Sequence, residues 1–356
     1  MSEDIRLMKG NEAIAEAAIR AGCRAYFGYP ITPQNELIAY MAVHMLEKGR
    51  TFIQAESEVA AINMVYGAAA TGARAMTSSS SLGISLKQEG ISYLCGADLP
   101  AVIVNVQRAG PGLGGIAPSQ GDYFQSTRGG GHGDYYTIVL APKSVQESAD
   151  LTYEAFDLSD KYRIPVLILA DGLIGQMMEG VVFPPAIDPA SLPVKPWAAG
   201  HQEGANRPAN HITSINLVPE ELEKWNNRRF KHYEQVKKEL CRYEEVQVED
   251  ADLVIVAYGT SARISLGVLQ EARKQGLKVG MFRPITLWPF PYARLHELAE
   301  KGKRFISVEL SFGQMVEDVR LAVDGKAPVD FYGRSGGMIF SEEEVLGQVK
   351  KILAKK

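Results

Sequence analysis

A carboxylate at position 58 is the first feature of the sequence that could do chemistry. Glu58 closes the run Gln54-Ala55-Glu56-Ser57-Glu58, where an apolar strand gives way to a helix rich in alanine and glycine. A carboxylate buried at such a junction is costly unless it is paired, and functional carboxylates in this position often hydrogen-bond a heterocycle. The alternative is an exposed acid in the first helical turn, where the helix dipole favours negative charge.

Arg108 is the second candidate, because it ends the apolar segment PAVIVNVQR. Open α/β sheets bind ligands at the ends of their strands. A guanidinium there can hold a carboxylate through two parallel hydrogen bonds. We therefore interpret Arg108 as a candidate carboxylate-binding residue, with a surface salt bridge as the alternative.

A hydroxyl-rich run, Thr77 to Ser81, precedes a predicted helix. Its hydroxyls and amides, Ser80 among them, could bind an anion at the helix N-terminus, and plain helix capping is the simpler alternative. The run could also be combined with His132 and Asp134 into a hydrolase triad. We reject the triad because the sequence has no GxSxG elbow.

The stretch from Gly110 to Asp134 is rich in glycine and contains GPGLGG and RGGGHGD. Gly110, Gly112 and Gly115 satisfy GxGxxG literally, but Pro111 lies inside the motif and no helix start of the required kind follows. We therefore reject a dinucleotide site and predict a loop that covers the substrate. A flexible surface loop is the alternative.

The elements that must position these residues alternate between helix and strand. Residues 1–183 predict a doubly wound α/β domain, since its strands include nearly continuous apolar runs typical of buried parallel strands. Within it, Thr32 is predicted to cap a helix that begins at Pro33. Residues 184–250 read as a proline-rich linker and a charged helix, and residues 251–356 predict a second, smaller α/β domain in which KVGMFRPITL is a strand.

Composition excludes several classes of protein. The chain has 356 residues and a formal net charge of −4, so it carries no general basic field for nucleic acid or membrane. There is no apolar run of membrane-spanning length and no signal-peptide pattern at the start, so we expect a cytoplasmic protein. The three cysteines, Cys23, Cys95 and Cys241, are too few and too scattered for a disulfide framework, a zinc site or a four-thiolate iron–sulfur cluster.

Taken together, the segments resemble the α subunits of 2-oxoacid:ferredoxin oxidoreductases. The resemblance rests on GNEAIAEAAIRAGCRAYFGYPITP (10–33), FIQAESEVAAINMVYGAAATGARAMTSSSS (52–81), VIVNVQRAGPGLGGIAPSQGD (102–122) and GGGHGDYYTIVLAPKSVQE (129–147). It implies a pyrimidine-type thiamine diphosphate domain followed by a transketolase-C-terminal-like domain. GPGLGGIAPSQ looks most like the branched-chain enzymes that use 3-methyl-2-oxobutanoate.

The resemblance implies a role for four residues. Glu58 falls on the glutamate that activates the aminopyrimidine of thiamine diphosphate, with Glu56 as its rival. Thr32 falls on a residue that hydrogen-bonds near the substrate, and Arg108 on the residue that binds the 2-oxoacid carboxylate. We expect Glu58, Thr32 and Ser80 to contact the cofactor. One departure is Leu82, where we expect proline in relatives, so the shape of that turn is open.

The sequence also lacks parts that the reaction needs. Thiamine diphosphate enzymes hold the diphosphate and Mg²⁺ with a GDG…N motif, and no GDG is present here. We therefore expect a β subunit to hold the diphosphate and Mg²⁺, a γ subunit, and a ferredoxin-like δ subunit with the [4Fe-4S] clusters. The expected reaction is oxidative decarboxylation of a 2-oxoacid to acyl-CoA and CO₂ with ferredoxin as acceptor. A nicotinamide-dependent dehydrogenase and a non-catalytic scaffold subunit of an electron-transfer complex are the two alternatives.

Overall fold

A computed structural model describes residues 5–200 and 208–354. The first part of the chain runs through the following elements: β1 (Arg6–Lys9), α1 (Gly10–Arg20), β2 (Ala25–Gly28), α2 (Asn35–Glu47), β3 (Thr51–Gln54), α3 (Glu58–Ala70), β4 (Ala75–Ser79), α4 (Leu82–Gly96), β5 (Val102–Gln107), α5 (Tyr123–Thr127), β6 (Ile138–Leu140), α6 (Val145–Tyr162), β7 (Val166–Asp171), α7 (Gly172–Gln176) and β8 (Met178–Val181). β1 and β8 pair as a two-stranded antiparallel sheet.

The rest of the chain begins with a 3₁₀ turn at Pro189–Ser191. It continues with α8 (Pro219–Leu240), β9 (Tyr243–Val246), β10 (Leu253–Val256), α9 (Gly259–Lys274), β11 (Val279–Pro284), β12 (Thr286–Trp288), α10 (Tyr292–Glu300), β13 (Arg304–Glu309), α11 (Met315–Val323), β14 (Val329–Gly333) and α12 (Glu342–Ala354). The charged helix α8 packs against the first part of the chain, where the buried Tyr233 hydroxyl accepts the Tyr136 N–H at 3.2 Å.

Two larger sheets organise these elements. The seven-stranded sheet has the order β12-β6-β7-β5-β4-β2-β3, and β2 to β7 are parallel within it. The five-stranded sheet has the order β14-β13-β10-β11-β9, with β9 antiparallel at one edge. The α/β prediction is confirmed, and the central strands β5 and β7 are buried along their whole length, as continuous apolar runs require.

One strand from the second part of the chain, β12, joins the seven-stranded sheet. The segment predicted as one strand, KVGMFRPITL, forms two: β11 pairs in the five-stranded sheet, whereas β12 crosses over and pairs antiparallel with β6. All three residues of β12 are buried. The predicted boundaries at 183/184 and 250/251 remain predictions, and β9, which precedes residue 251, belongs to the second sheet.

A buried seam joins the two sheets, and we define it by Gln120 and its partners. The Gln120 side chain donates to the Tyr258 carbonyl at 2.8 Å and accepts from the Ser261 hydroxyl at 2.6 Å and the Leu310 N–H at 3.0 Å. Two further buried pairs cross the seam, Thr260 with Asp171 and Tyr123 with Asp318. The seam therefore fixes the loop after β5 against the five-stranded sheet.

The helix start predicted at Thr32 is wrong. α2 begins at Asn35, because the Gln34 N–H donates to the Ile31 carbonyl and closes a separate turn before the helix. The Pro33 carbonyl is also engaged, since it accepts from the side-chain amide of Asn11 at 2.7 Å. Tertiary partners thus hold this segment outside the helix.

Candidate functional site

The structure brings the sequence-predicted residues to one edge of the seven-stranded sheet. β3, β2, β4 and β5 are neighbours in the sheet and are parallel, so their carboxyl ends meet at one edge. Thr32, Glu58, Ser80 and Arg108 each follow one of these strands. We call these four residues with Ser79 the edge cluster. Its position is the one where open α/β sheets bind ligands.

Glu58 is buried, whereas its rival Glu56 is exposed. Glu58 is the first residue of α3, and the preceding Ser57 caps the helix by accepting the Ala60 N–H at 3.2 Å. No hydrogen bond or ion pair to the Glu58 carboxylate is found within residues 5–200 and 208–354. A carboxylate that is 6% exposed and has neither a hydrogen bond nor an ion pair among the described residues is a candidate for binding a polar ligand.

The space beside Glu58 depends on a glycine that sequence reasoning missed. Gly83 lies in the first turn of α4, and a Cβ at this position would stand 2.8 Å from Oε1 of Glu58 and would also collide with the Ser79 hydroxyl. No side chain larger than that of glycine would fit there without displacing these two oxygens. Gly83 thus lets the backbone of α4 approach Glu58 and Ser79 closely, and we call this close approach the glycine cradle.

Two buried hydroxyls of the edge cluster lack partners. Ser79 and Ser80 are fully buried, and their Oγ atoms make no hydrogen bond with the described residues. The N-cap of α4 is Ser81, whose side chain makes no capping bond, so the serine run does not cap the helix as the simpler alternative had it. Unpartnered buried hydroxyls are costly, and a polar ligand would satisfy them.

Arg108 is buried and partly engaged. Its Nη1 donates to the Thr32 carbonyl and its Nη2 to the Leu113 carbonyl, both at 3.0 Å, while Nε has no partner among the described residues. Arg108 therefore ties the turn after β2 to the glycine-rich loop. Nε and the second N–H of each terminal nitrogen remain for a carboxylate.

A polar relay holds the backbone of Arg108. Its N–H donates to Ser81 Oγ at 2.9 Å, and the Ser81 hydroxyl donates to Asp122 Oδ2 at 2.6 Å. Asn105 supports both ends, since it accepts from the Ser81 N–H and donates to Asp122. Burial raises the pKa of Asp122, and the bonds from Ser81 and Asn105 oppose that shift. Ser81 has φ of 28°, so the turn that precedes Leu82 is strained and is held by these contacts.

The glycine-rich loop lies directly over Arg108. It leaves and returns beside β5, because the Ala109 N–H donates to the Ala117 carbonyl at 2.9 Å. Residues 110–116 are exposed, among them Leu113 and Ile116. No helix follows the GxGxxG match until α5, so the strand–turn–helix context of a dinucleotide site is missing there. His132 and Asp134 are exposed, and neither side chain hydrogen-bonds a serine among the described residues.

Lys87 is the second residue that sequence reasoning missed. It is fully buried in α4, and Nζ donates to Thr77 Oγ1 at 2.9 Å and to the Ser78 carbonyl at 3.0 Å. The signal was present in the sequence, because Lys87 lies between Ile84 and Ile91 on the apolar stripe of the helix. Burial lowers the pKa of Lys87 to about 7, and the Glu58 carboxylate opposes this shift.

The edge cluster fits thiamine diphosphate as far as this chain reaches. A buried unpartnered carboxylate, two unpartnered hydroxyls and a glycine cradle suit a flat heterocycle with hydrogen-bonding nitrogens. Among the described residues, no group of three or more His, Cys, Asp or Glu side chains could hold a metal ion. In the same residues, every helix is too short or too polar to cross a membrane.

Comparison with known proteins shows the family to which the chain belongs. Residues 16–250 match the family described as pyruvate flavodoxin/ferredoxin oxidoreductase, thiamine diphosphate-binding, and residues 251–345 match pyruvate:ferredoxin oxidoreductase core domain II. The chain is 52% identical to ketoisovalerate oxidoreductase subunit VorB of Methanothermobacter thermautotrophicus, over 98% of this chain and 97% of that protein. It is 35% identical to 2-oxoglutarate synthase subunit KorA of Methanothermobacter marburgensis, over 96% of this chain and 97% of that protein.

A solved structure supports the same family assignment. The 2-oxoglutarate:ferredoxin oxidoreductase from Magnetococcus marinus, with 2-oxoglutarate, coenzyme A and succinyl-CoA bound, superposes with a TM-score of 0.85 at 27% identity. The match covers 98% of this chain and 65% of that one. The chain therefore belongs to the 2-oxoacid:ferredoxin oxidoreductases, as a subunit with a thiamine diphosphate-binding domain followed by core domain II.

Proposed function

We propose that this chain supplies the pyrimidine side of the active site in an enzyme that oxidatively decarboxylates a branched-chain 2-oxoacid to acyl-CoA and CO₂, with ferredoxin as electron acceptor. The observation that carries the proposal is the buried, unpartnered Glu58 carboxylate in its glycine cradle at the sheet edge. The identity of 52% with a ketoisovalerate oxidoreductase subunit supports the substrate class.

The residues of the edge cluster would have different roles in the reaction. Glu58 would hold or release a proton at its carboxylate, opposite a ring nitrogen of the cofactor. Ser79 and Ser80 would orient the ring through their unpartnered hydroxyls, and Thr32 would place a hydroxyl beside the substrate. The chemistry that thiamine diphosphate supplies when bound is stabilisation of a carbanion, and the protein contributes position and electrostatics.

Arg108 would hold the substrate carboxylate. Its guanidinium is already fixed by the Thr32 and Leu113 carbonyls, so little conformational entropy is lost when a carboxylate meets Nε and a terminal N–H. The exposed apolar side chains of Leu113 and Ile116 stand on the same loop. They offer an apolar cover for a branched substrate side chain and would exclude water from it.

The other half of the site would come from partner chains. Exposed apolar side chains lie on the elements that surround Glu58, namely Tyr29, Ile53, Val59 and Leu86. We propose that a β subunit packs there and brings the diphosphate-binding and Mg²⁺-binding groups, and that γ and ferredoxin-like δ subunits complete the complex with its [4Fe-4S] clusters. Apolar patches of this kind commonly mark protein–protein interfaces.

The test compares two glutamates, Glu56 and Glu58, in the assembled complex. Glu58→Gln keeps the size of the side chain but removes its acid–base function, and we expect exchange of the C2 proton of bound thiamine diphosphate to slow about 10²–10⁴-fold. Glu56→Gln is the matched control, since Glu56 is exposed, and should exchange at the wild-type rate. Normal exchange in Glu58→Gln would contradict the assignment.

The shared site is tested by expressing the chain with and without its partners. Alone, the chain should be colourless and inactive and should self-associate through its exposed apolar surface. Co-expression with the partner chains should give a brown complex that reduces viologen dyes with 3-methyl-2-oxobutanoate and coenzyme A. Tight thiamine diphosphate binding and decarboxylation by the lone chain would exclude a site shared between subunits.

A further inference from the structure

Lys87 is a buried cationic side chain to which the proposed reaction gives no role. It is 0% exposed, and its two hydrogen bonds, to Thr77 Oγ1 and the Ser78 carbonyl, match the two N–H groups of a neutral amine. A protonated Lys87 carries a third N–H and a full charge in the protein interior. Its protonation state therefore depends on which charges lie nearby.

Lys87 lies on the same face of α4 as Gly83, the glycine that contacts Glu58. Helical side chains lean towards the helix N-terminus and cover the residue four positions earlier, which for Lys87 is Gly83. Gly83 is the residue whose added Cβ would meet Oε1 of Glu58 at 2.8 Å. Lys87 and the glycine cradle thus share one face of α4, and the charge of Glu58 acts on Lys87.

The other groups packed around Lys87 are neutral. β4 contributes Thr77 and Ser78, and the Ser78 hydroxyl donates to Gln34 Oε1 at 2.6 Å. β2 contributes Tyr26, whose hydroxyl shares a 2.6 Å hydrogen bond with Ser78 and whose pKa burial raises well above its ordinary value. Glu58, on α3, is the charged group among the described residues that faces Lys87.

We propose that Lys87 is a positioning residue that tunes Glu58: its buried ammonium favours the ionised Glu58 carboxylate and thereby sets the pH range in which Glu58 can act on the cofactor. This inference rests on the proposed function and deepens it. Since burial lowers the pKa of Lys87 to about 7, the ammonium is present below neutral pH. Removing it should take away a favourable charge interaction with the Glu58 carboxylate.

The first measurement is a pH titration of the circular-dichroism signal of thiamine diphosphate bound to the assembled complex, without substrate. In Lys87→Met, and in Lys87→Gln should the Met variant fail to assemble, the acid-side midpoint should rise by about one to three pH units. Lys87→Arg keeps the charge and should stay near the wild-type midpoint. Gln88→Met is the matched control, because Gln88 is the buried neighbour on α4 that instead bonds the Gly130 N–H.

The second measurement follows Lys87 itself in the cofactor-free complex. Its folded pKa of about 7 lies below its ordinary value of 10.5. Between these two values Lys87 is protonated in the unfolded chain but neutral in the folded chain. The free energy of unfolding therefore increases as the pH rises from about 7 to 10.5. The thermal midpoint of wild type, relative to that of Lys87→Met, should therefore rise across this window.

The outcomes distinguish a failure of the role of Lys87 from a failure of the proposed function. If Glu58→Gln abolishes C2 exchange but Lys87→Met leaves the midpoint at the wild-type value, the proposed function stands and the role of Lys87 is refuted. If Gln88→Met moves the midpoint as far as Lys87→Met, the effect is general loss of packing, and the role of Lys87 is again refuted. If Glu58→Gln exchanges normally, the failure lies in the proposed function itself.

Discussion

The edge cluster and the seam both bury polar side chains, but they differ in how these groups are satisfied. At the seam, the side-chain oxygen and nitrogen of Gln120 are both bonded, to Ser261, Leu310 and Tyr258. At the edge cluster, Glu58 and the hydroxyls of Ser79 and Ser80 lack partners in the described part of the chain. Protein interiors rarely leave such groups unpaired. The seam therefore stabilises the contact between the two sheets, whereas the edge cluster is where we propose that a ligand binds.

The largest effect on stability should come from the seam. Gln120→Leu keeps the volume but orphans two buried donors, the Ser261 hydroxyl and the Leu310 N–H. The Tyr258 carbonyl also loses the Gln120 side chain but still accepts the Ala262 N–H at 3.1 Å. Each orphan costs about 1–3 kcal/mol, so the free energy of unfolding should fall by about 2 kcal/mol or more, as measured by denaturant unfolding of the assembled complex. A variant as stable as wild type would show that water satisfies the seam and would remove the contrast.

Arg108→Lys tests the edge cluster from the substrate side. Lysine keeps the charge but loses the planar fork, so the KM for the 2-oxoacid should rise about tenfold or more, as expected for loss of a charge-assisted bond of roughly 1.5–3 kcal/mol. The KM for coenzyme A should change much less. Equal effects on both substrates would mean that Arg108 only ties Thr32 to Leu113.

A matched pair of serines tests the contrast directly. Ser261→Ala removes a partner of Gln120 at the seam and should lower the free energy of unfolding by about 1–2 kcal/mol. Ser80→Ala removes a hydroxyl that has no described partner, so the cofactor-free complex should be as stable as wild type, within about 0.5 kcal/mol. Thiamine diphosphate binding should weaken in Ser80→Ala alone. The same loss of stability in both would contradict the distinction.

The smallest effect should come from Thr32→Val. The Thr32 carbonyl, which holds Arg108, is retained, and only a hydroxyl that accepts from Asn35 at 3.2 Å is lost. One neutral hydrogen bond is worth about 1 kcal/mol, so kcat/KM for the 2-oxoacid should fall about fivefold. A loss as large as that of Arg108→Lys would place Thr32 in a more central role.

Sequence alone predicted the alternation of elements because buried parallel strands have a distinctive composition. It also predicted that Glu58 and Arg108 follow strands, which is enough to bring them to one edge. It missed β12, since two short apolar segments adjoin in KVGMFRPITL and only tertiary pairing separates them. It missed the cradle at Gly83 for the same reason, because the contact of α4 with Glu58 is not written in either segment.

The pairing of β12 with β6 has a consequence for how this polypeptide folds during synthesis and how its gene could be divided. The seven-stranded sheet obtains its last strand from residues 286–288, well after the start of the second sheet at residue 243. During synthesis on the ribosome, the first sheet must wait with β6 as an open edge until β12 has emerged. A gene split between residues 250 and 251 would leave that edge exposed in the N-terminal fragment. The two halves are thus not interchangeable modules, and shuffling either one among relatives requires moving β12 with the sheet that it completes.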